Sequence, residues 1–255
     1  MLSSWPLSLA LLASLALIRT ILARVHPSSP ARREQLQSAR DTLDSLSLTL
    51  FTLFFVIQPF VAQAYVIPTG SMERTLPVGT RILASPLAPR LVPVHAGDVL
   101  VFRPPHLAIA ISGGPDDEVW IKRCIGAPGQ RIEIKKNVLW RDGKMVAEPY
   151  AIWKSPGLAP LVYDLKIIGG AVYSRSYDNF GRADLWSQAG VVVPDQNEIS
   201  RLPSGVVPPD QFLMLGDHRN DSLDGHVWGF LARPRIVGRA FVSFWPPRQI
   251  GPINR

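Results

Sequence analysis

Two long uncharged runs stand at the start of the chain and differ from everything that follows them. The second run covers 46–66, reads LSLTLFTLFFVIQPFVAQAYV, and lies in a stretch that carries no charge from Ser45 through Met72. A helix over this range would be about 31 Å long, which matches the roughly 30 Å thickness of a hydrocarbon core. We therefore predict a transmembrane helix over 46–66. The alternative is a buried core helix, which usually shows a polar stripe.

The first run covers 1–18, reads MLSSWPLSLALLASLALI, and is followed by Arg19 and Arg24. A cleaved secretory signal would have basic residues before its apolar stretch and a small-residue cleavage site after it. Because the charges here come afterwards, we predict a first transmembrane helix over 1–23. An interfacial helix or a poorly inserted segment is the alternative.

The segment 24–45 between the two runs is basic, and we expect it to be a cytoplasmic loop. It contains Arg24, Arg32, Arg33 and Arg40. Short loops rich in arginine stay on the cytoplasmic side of a membrane. The chain after residue 66 then lies on the extracytoplasmic side of the cell (inner) membrane. If the first segment does not cross, the second still carries the following domain outward.

Short apolar or alternating runs separated by Gly and Pro fill the chain after residue 66. They have strand length, are rich in Val, Ile, Phe and Trp, and end at turn residues such as Asp142-Gly143. The runs lie at 98–102, 118–125, 131–134, 212–216 and 236–245. We predict a mainly β fold, with an antiparallel β domain over 67–255. Within it, 151–207 has no clear period and is predicted to be an insertion or extended loops.

Composition narrows the class of protein further. The 255 residues are 47% hydrophobic and 18% charged, which excludes a disordered chain or a coiled coil. The net charge of +7 would suit nucleic acid or an anionic membrane surface. Because the arginines are dispersed and no nucleic-acid motif occurs, we expect no nucleic-acid partner.

The cysteine and histidine pattern bears on cofactors. Cys124 is the single cysteine, cannot form an intrachain disulfide, and is interpreted as a small buried hydrophobic residue. The five histidines are not paired at the spacing of a zinc helix. We therefore expect no metal site and no cofactor.

The segment Ile67-Pro68-Thr69-Gly70-Ser71-Met72 is the first candidate for chemistry. Gly70 permits a backbone geometry that would present the Ser71 hydroxyl, and would aim the Ser71 N–H and the Thr69 hydroxyl at a developing oxyanion. The alternative is a plain helix-to-strand turn in which Ser71 is a cap.

Lys122 is the second candidate. Strand alternation places it on the same apolar face as Trp120 and Cys124. An ammonium group among apolar side chains loses solvation, so its pKa falls and the neutral amine can act as a general base for a serine hydroxyl. The alternative is that Lys122 extends to solvent.

The polar segment GDHRNDSLDGHVWG, at 216–229, follows an apolar run and predicts an ordered, hydrogen-bonded loop. A hydroxyl from this loop, such as that of Ser222, could orient a lysine amine. Asp217, Arg219 and Asp224 could tie the loop together by charge-assisted hydrogen bonds. By itself this segment is equally compatible with a structural turn.

Together these segments resemble bacterial type I signal peptidases, the Ser/Lys endopeptidases of the S26 class. The matching motifs follow a membrane helix in the family's order and are IPTGSM, GDVLVFRPP, WIKRCIGAPGQRIEI, GDHRNDSLDGHVWGF and IVGRAFVSFWP. The resemblance covers most of 60–150 and 208–247. It implies a membrane-anchored β catalytic domain of signal-peptidase type that cuts exported preproteins after a small-x-small sequence, without a cofactor. We also expect a monomer in contact with the bilayer.

The resemblance implies a role for each candidate residue. Ser71 corresponds to the nucleophile and Lys122 to its general base. The other implied positions are the oxyanion donors Thr69 and Ser71, the lysine-orienting Ser222, and the supporting loop residues Asp217, Arg219 and Asp224.

The chain departs from the family pattern at two places. Arg74 stands where the family usually has proline, and GDHRNDSLDGH stands where it has GDNRDNSxDSR. Neither change replaces Ser71, Lys122 or Ser222, so we expect an active but divergent enzyme. The alternatives are a Ser/Lys autoprotease of the SOS-repressor kind, an organellar processing peptidase, and a catalytically inactive membrane-anchored protein that binds signal peptides or another partner.

Overall fold

A computed structural model of the protein describes residues 5–27, 29–153, 162–178, 180–189 and 191–253. Contacts divide the chain into two units, Met1–Gln63 and Ala64–Arg255. Residues 1–4, which belong to the predicted first helix, and 154–161, which belong to the predicted loop region, lie outside the described residues.

The first unit contains two long helices. Helix α1 covers Trp5–Arg24, and α2 covers Pro30–Phe51 and continues as a π-helix over Thr52–Val61. The two helices are joined by a hydrogen-bonded ion pair, in which the Arg19 Nε donates to the Asp44 carboxylate at 3.1 Å. Both are long and apolar enough to cross a membrane, as judged by length and composition alone.

The second helix begins before the range predicted to cross the membrane and ends before the end of that range. The helix begins at Pro30, so most of the predicted loop 24–45 is helical. Pro30 stands in the first helical turn, where the missing N–H of proline costs nothing, and the residues after it are mostly good helix formers. The helix ends at Val61 rather than at 66, because the chain becomes extended at Ala62.

Among its described residues, the second unit contains four short helices and the strands of two sheets. The helices are α3 (Ala88–Leu91), α4 (His106–Ser112), α5 (Gln196–Arg201) and α6 (Gly225–Trp228), and 3-10 turns cover Gly70–Met72, Arg233–Arg235 and Pro247–Gln249. The strands are β1 (Gln63–Val66), β2 (Arg81–Ser85), β3 (Val99–Phe102), β4 (Trp120–Gly126), β5 (Ile132–Lys135), β6 (Val138–Arg141), β7 (Lys144–Val146), β8 (Val162–Ile168), β9 (Ala171–Tyr177), β10 (Ser187–Gln188), β11 (Val191–Val192), β12 (Gln211–Leu215), β13 (Phe230–Ala232), β14 (Ile236–Trp245) and β15 (Gly251–Pro252). The five runs predicted as strands are confirmed as β3, β4, β5, β12 and β14.

The strands form two antiparallel sheets, which confirms the predicted fold class. The first sheet has the order β1-β2-β14-β3-β4-β12-β13, with β15 paired to β14. The second has the order β11-β10-β9-β8-β5-β6-β7. Strand β4, which carries Lys122, lies between β3 and β12 and is therefore covered by backbone pairing on both edges.

The prediction of loops over 151–207 is wrong for most of its described part, because β8 to β11 complete the second sheet there. The hairpin of β8 and β9 turns at Gly169-Gly170, and both residues have positive φ, at 58° and 78°. Two-residue turns of this kind match the twist of the strands and need residues that tolerate positive φ. Asp142-Gly143, between β6 and β7, turns in the same way, at 51° and 77°.

The buried apolar side chains form three clusters. The largest brings residues of β4 and β12 together with residues of β5 and β8, and so packs the two sheets against each other. The second contains Cys124, which is buried and free, as predicted. The third, which we call the Met72 cluster, contains Ile67, Met72, Leu76 and Val101 and supports the turn that carries Ser71.

Candidate active site

Ser71 lies in the middle of the 3-10 turn Gly70–Met72. Met72 is fully buried and anchors this turn in the Met72 cluster. The Glu73 N–H donates to the Gly70 carbonyl at 2.8 Å and closes the turn. Ser71 is consequently held in place by its neighbours, and only 6% of the residue is exposed.

Lys122 approaches Ser71 from strand β4. It is paired across the sheet with Leu100 of β3, and only 5% of it is exposed. Its Nζ lies 2.5 Å from Ser71 Oγ and 5.8 Å from the ring centre of Trp120. The structure therefore brings together the two residues that the sequence analysis named as nucleophile and base.

Burial lowers the pKa of Lys122 from 10.5 to about 8, because the ammonium group loses its hydration in this site. The carboxylates of Asp224, Asp217 and Asp221 act in the opposite direction. Desolvation is the larger effect, so a substantial fraction of the amine is neutral near pH 8. A neutral amine at hydrogen-bond distance from a hydroxyl has the geometry of a general base.

The Thr69 hydroxyl is adjacent to the same centre. Its Oγ1 lies 3.4 Å from Ser71 Oγ. A donor this close to the Ser71 hydroxyl can reach an oxygen atom bound next to it. Thr69, Ser71 and Lys122 thus form one group of polar side chains at the start of the β domain.

The loop 216–224, which follows β12, packs directly against the Ser71 backbone. The His218 N–H donates to the Ser71 carbonyl at 3.0 Å, and the Gly216 N–H donates to the Asp224 carboxylate at 2.8 Å. A Cβ atom at Gly216 would lie 2.6 Å from the Ser71 carbonyl oxygen and would overlap Ser222 Oγ. The loop therefore has no room for any residue other than glycine at this position.

Ser222 lies in this loop, and its hydroxyl is buried. Within the described residues no hydrogen bond joins Ser222 Oγ to Lys122 Nζ, and the buried Oγ has no partner of good geometry. It lies instead beside the Asp224 carboxylate, whose negative charge it helps to stabilise. The lysine-orienting contact implied by the family resemblance is thus not formed in this structure.

Asp217 ties the 216–224 loop to strand β4. Its carboxylate accepts two hydrogen bonds from the Arg123 guanidinium, at 2.8 and 2.7 Å, and one from the Thr75 hydroxyl, at 2.5 Å. Both charged side chains of this pair are almost fully buried. The sequence analysis did not single out Arg123, which follows Lys122 directly. The sequence feature that could have indicated its role is Asp217, an acidic residue in the 216–224 loop.

Asp224 and Arg219 both form hydrogen bonds with Gly216, the first residue of the same loop. Burial alone would raise the pKa of Asp224, but the neighbouring His226 and the Gly216 N–H together hold it below its ordinary value. Arg219 Nε donates to the Gly216 carbonyl at 3.1 Å, and its guanidinium forms two hydrogen bonds with Glu148. Glu148 was missed by the sequence analysis because it lies 71 positions before its partner.

The described part of the chain contains no group of three or more His, Cys, Asp or Glu side chains that could hold a metal ion. The polar groups that meet at this site are a serine hydroxyl, a lysine amine of lowered pKa, and neighbouring hydrogen-bond donors. Such a group can carry out acyl transfer.

Comparisons with known proteins indicate one family. The family model described as signal peptidase, peptidase S26, matches residues 40–245. A probable signal peptidase I-2 of Synechocystis sp. is 32% identical over 82% of this chain and 75% of its own length. The signal peptidase I of Leptolyngbya laminosa is 31% identical over 78% of this chain and 76% of its own.

A more distant relative and one solved structure complete the comparison. Signal peptidase IB of Staphylococcus aureus is 30% identical over 77% of this chain and 84% of its own length. A crystal structure of a signal peptidase I from Enterococcus faecalis V583 covers 58% of this chain and 97% of its own, with 18% identity and a TM-score of 0.35.

Proposed function

The chain belongs to the signal peptidase family, peptidase S26, and from this premise we propose that it removes signal peptides from exported preproteins with Ser71 as nucleophile and Lys122 as general base. Relatives named signal peptidase I support this class of substrate. The observation that carries the proposal is the 2.5 Å distance between Ser71 Oγ and Lys122 Nζ in a site where both residues are almost fully buried.

In the first half of the reaction, the neutral Lys122 amine takes the proton of the Ser71 hydroxyl while Oγ attacks the scissile carbonyl carbon. The Thr69 hydroxyl and the Ser71 N–H donate to the negative oxygen of the tetrahedral intermediate. The Lys122 ammonium then gives its proton to the leaving amine as the carbon–nitrogen bond breaks. An ester between the signal peptide and Ser71 remains, and the new amino terminus departs.

The second half of the reaction hydrolyses this ester. A water molecule attacks the acyl carbon while Lys122, again neutral, accepts its proton. The proton returns to Ser71 Oγ as the ester bond breaks, and the signal peptide leaves as a carboxylate. One base with a pKa of about 8 serves both halves because it is close enough to neutrality to accept and to release a proton.

The preference for a small-x-small sequence before the cut is part of the proposal. It is supported by the family resemblance and by the apolar surroundings of the nucleophile. Ile67 and Met72, on either side of the turn, are buried, and the partly buried Tyr65 and Ile121 pack on the same cluster. Apolar surroundings favour apolar side chains over polar ones.

The arrangement in the membrane is proposed on the basis of charge. Signal peptidase I enzymes are associated with membranes, and both long helices of the first unit have the length and composition to cross one. The arginines between their apolar parts favour a cytoplasmic position for the segment 24–45, which places the Ala64–Arg255 unit on the extracytoplasmic side.

The direct test is cleavage of a preprotein carrying an Ala-x-Ala site by the full-length chain in detergent. We expect Ser71→Ala and Lys122→Ala each to abolish cleavage, because each removes one partner of the proton transfer. The products are followed by the mass of the released amino terminus.

Lys166→Ala is the matched control for this test. Lys166, in β8 of the second sheet, also has a lowered pKa, but its Nζ donates to the backbone carbonyls of Ser200 and Leu202. We expect this variant to cleave at the parent rate. Cleavage that persists in either Ser71→Ala or Lys122→Ala would contradict the assignment, whereas a folded parent that binds but never cuts would favour an inactive binding protein.

A further inference from the structure

A segment that follows β7 runs alongside the 216–224 loop, and we call it the 148–153 strap. The Ile152 N–H donates to the Asp217 carbonyl at 2.7 Å, and the Arg219 N–H donates to the Ile152 carbonyl at 2.9 Å. The Asn220 side-chain amide donates to the Trp153 carbonyl at 2.5 Å. The strap therefore holds the loop by a short parallel bridge of backbone hydrogen bonds.

Aromatic side chains of the strap cover both buried arginines. The Tyr150 ring centre lies 3.9 Å from the guanidinium carbon of Arg123, and the Trp153 ring centre lies 4.9 Å from that of Arg219. Stacking of this kind keeps a guanidinium planar and shielded while its N–H groups remain available for hydrogen bonds.

Glu148, at the start of the strap, pairs with Arg219 by two parallel hydrogen bonds, at 2.9 and 2.5 Å. The exposed fractions of the two side chains are 1% for Arg219 and 6% for Glu148. A two-bond arginine–carboxylate pair fixes the orientation of the guanidinium as well as its position. With this orientation Arg219 Nε meets the Gly216 carbonyl.

The position of Gly216 matters for the reaction because the residue has no free space. A Cβ atom at this position would overlap the Ser71 carbonyl oxygen and the Ser222 side chain. A shift of the loop by a fraction of an ångström would therefore be transmitted to the turn that carries the Ser71 hydroxyl. Misplacement of a reacting group by about 1 Å can reduce a rate by about a hundredfold.

We propose that Glu148 is a positioning residue, which fixes Arg219 and through it the 216–224 loop in the place where Ser71 faces Lys122. Glu148 acts at a distance and touches no reacting atom. The inference rests on the proposed function for its kinetic consequence, but its structural consequence for the loop can be measured independently.

The test compares Glu148→Gln with Asp164→Asn in the full-length chain in detergent. Asp164 is a suitable control because, like Glu148, it is a buried carboxylate that pairs with an arginine. It lies in β8 of the second sheet and pairs with Arg175 at 2.8 Å. It lies on the opposite face of β8 from Tyr163, which packs in the cluster between the sheets.

For Glu148→Gln we expect kcat to fall about tenfold or more while KM stays within about twofold, because substrate contacts remain and only the alignment is lost. Asp164→Asn should keep the parent kcat within about twofold, even if its Tm falls equally. Hydrogen exchange of the peptide covering 212–228 should be faster in Glu148→Gln than in the parent and unchanged in Asp164→Asn.

Two results would overturn the inference: a Glu148→Gln variant with parent kcat and parent exchange, or an Asp164→Asn variant that loses as much kcat. If Glu148→Gln does not fold, Glu148→Asp keeps the charge, shortens the reach by one methylene, and is measured in its place against the same criteria. A parent that does not cleave would instead contradict the proposed function, and the exchange comparison alone would then decide whether Glu148 positions the loop.

Discussion

At the scale of single residues, Lys122 experiences two opposing electrostatic effects. Loss of hydration lowers its pKa, and three nearby aspartates raise it, yet the result is a pKa of about 8, well below the ordinary 10.5. Each unit of this difference corresponds to about 1.4 kcal/mol. The Asp217 carboxylate already accepts hydrogen bonds from Arg123 and Thr75. Its negative charge is therefore largely offset by the Arg123 guanidinium and raises the pKa of Lys122 less than a free carboxylate would. The Lys122 amine is therefore partly neutral near pH 8.

The pH dependence of cleavage follows from this pKa. Below about pH 8 the amine is protonated and cannot accept the Ser71 proton, so we expect kcat/KM to rise about tenfold per pH unit up to pH 8 and to level off above it. The measurement is initial rates between pH 6 and 10 on a substrate without titrating groups.

Asp221→Asn provides the matched variant for this profile. Asp221 is exposed, and its charge is one of those that raise the pKa of Lys122. Removing the charge should move the midpoint to lower pH and leave the plateau rate nearly unchanged. A parent midpoint near pH 10, or a profile without a rise, would show that Lys122 is not the titrating base.

At the scale of single elements, the turn that leaves Ser71 takes an unusual backbone conformation. Arg74 has a φ of 78°, in the left-handed region that residues other than glycine seldom adopt. Proline, which the family usually has here, is fixed near −65° and cannot adopt this φ. The departure at this position therefore changes the path of the backbone and is more than an exchange of side chains.

Two substitutions at Arg74 test this conclusion in opposite directions. Arg74→Gly should raise the Tm, because a left-handed conformation costs a residue with a Cβ about 1 kcal/mol that glycine does not lose. Arg74→Pro should lower the Tm and reduce kcat, since it forces the turn next to Ser71 to change. Thermal unfolding and cleavage rates are measured for both, and a Pro variant as stable and active as the parent would contradict the conformation described.

The elements also show why sequence reasoning succeeded in some places and failed in others. Strands β3, β4, β12 and β14 of the first sheet and β5 of the second have dense apolar patterns and were predicted within about two residues, whereas β1, β2, β13 and β15 were not predicted. Strands β8 and β9 alternate polar with apolar residues, and the Gly169-Gly170 turn between them was the local signal that was overlooked. The segment 30–45 was expected to be a loop because its charged residues were used only to assign the membrane topology. Its many helix-forming residues were not considered.

At the scale of the whole molecule, the site depends on contacts between segments that are far apart in the sequence. Ser71 and Lys122 could be proposed from local patterns and the family resemblance. The partners Arg123 and Glu148 could not, because their contacts join positions 94 and 71 residues apart. Such pairings are determined by the topology of the two sheets, which local periodicity does not specify. The role of Ser222 stays a prediction, since its buried hydroxyl forms no hydrogen bond with Lys122 in this structure.

The central claim is that Ser71 becomes acylated with Lys122 as its base, and trapping this acyl-enzyme tests it most directly. The full-length chain in lipid vesicles is mixed with a preprotein at pH 8, quenched in acid within milliseconds to seconds, and digested for mass spectrometry. We expect the mass of the signal peptide on the fragment containing Ser71 in the parent, and no adduct in Lys122→Met or Ser71→Ala. An adduct on another residue, or an equal yield in Lys122→Met, would contradict the account.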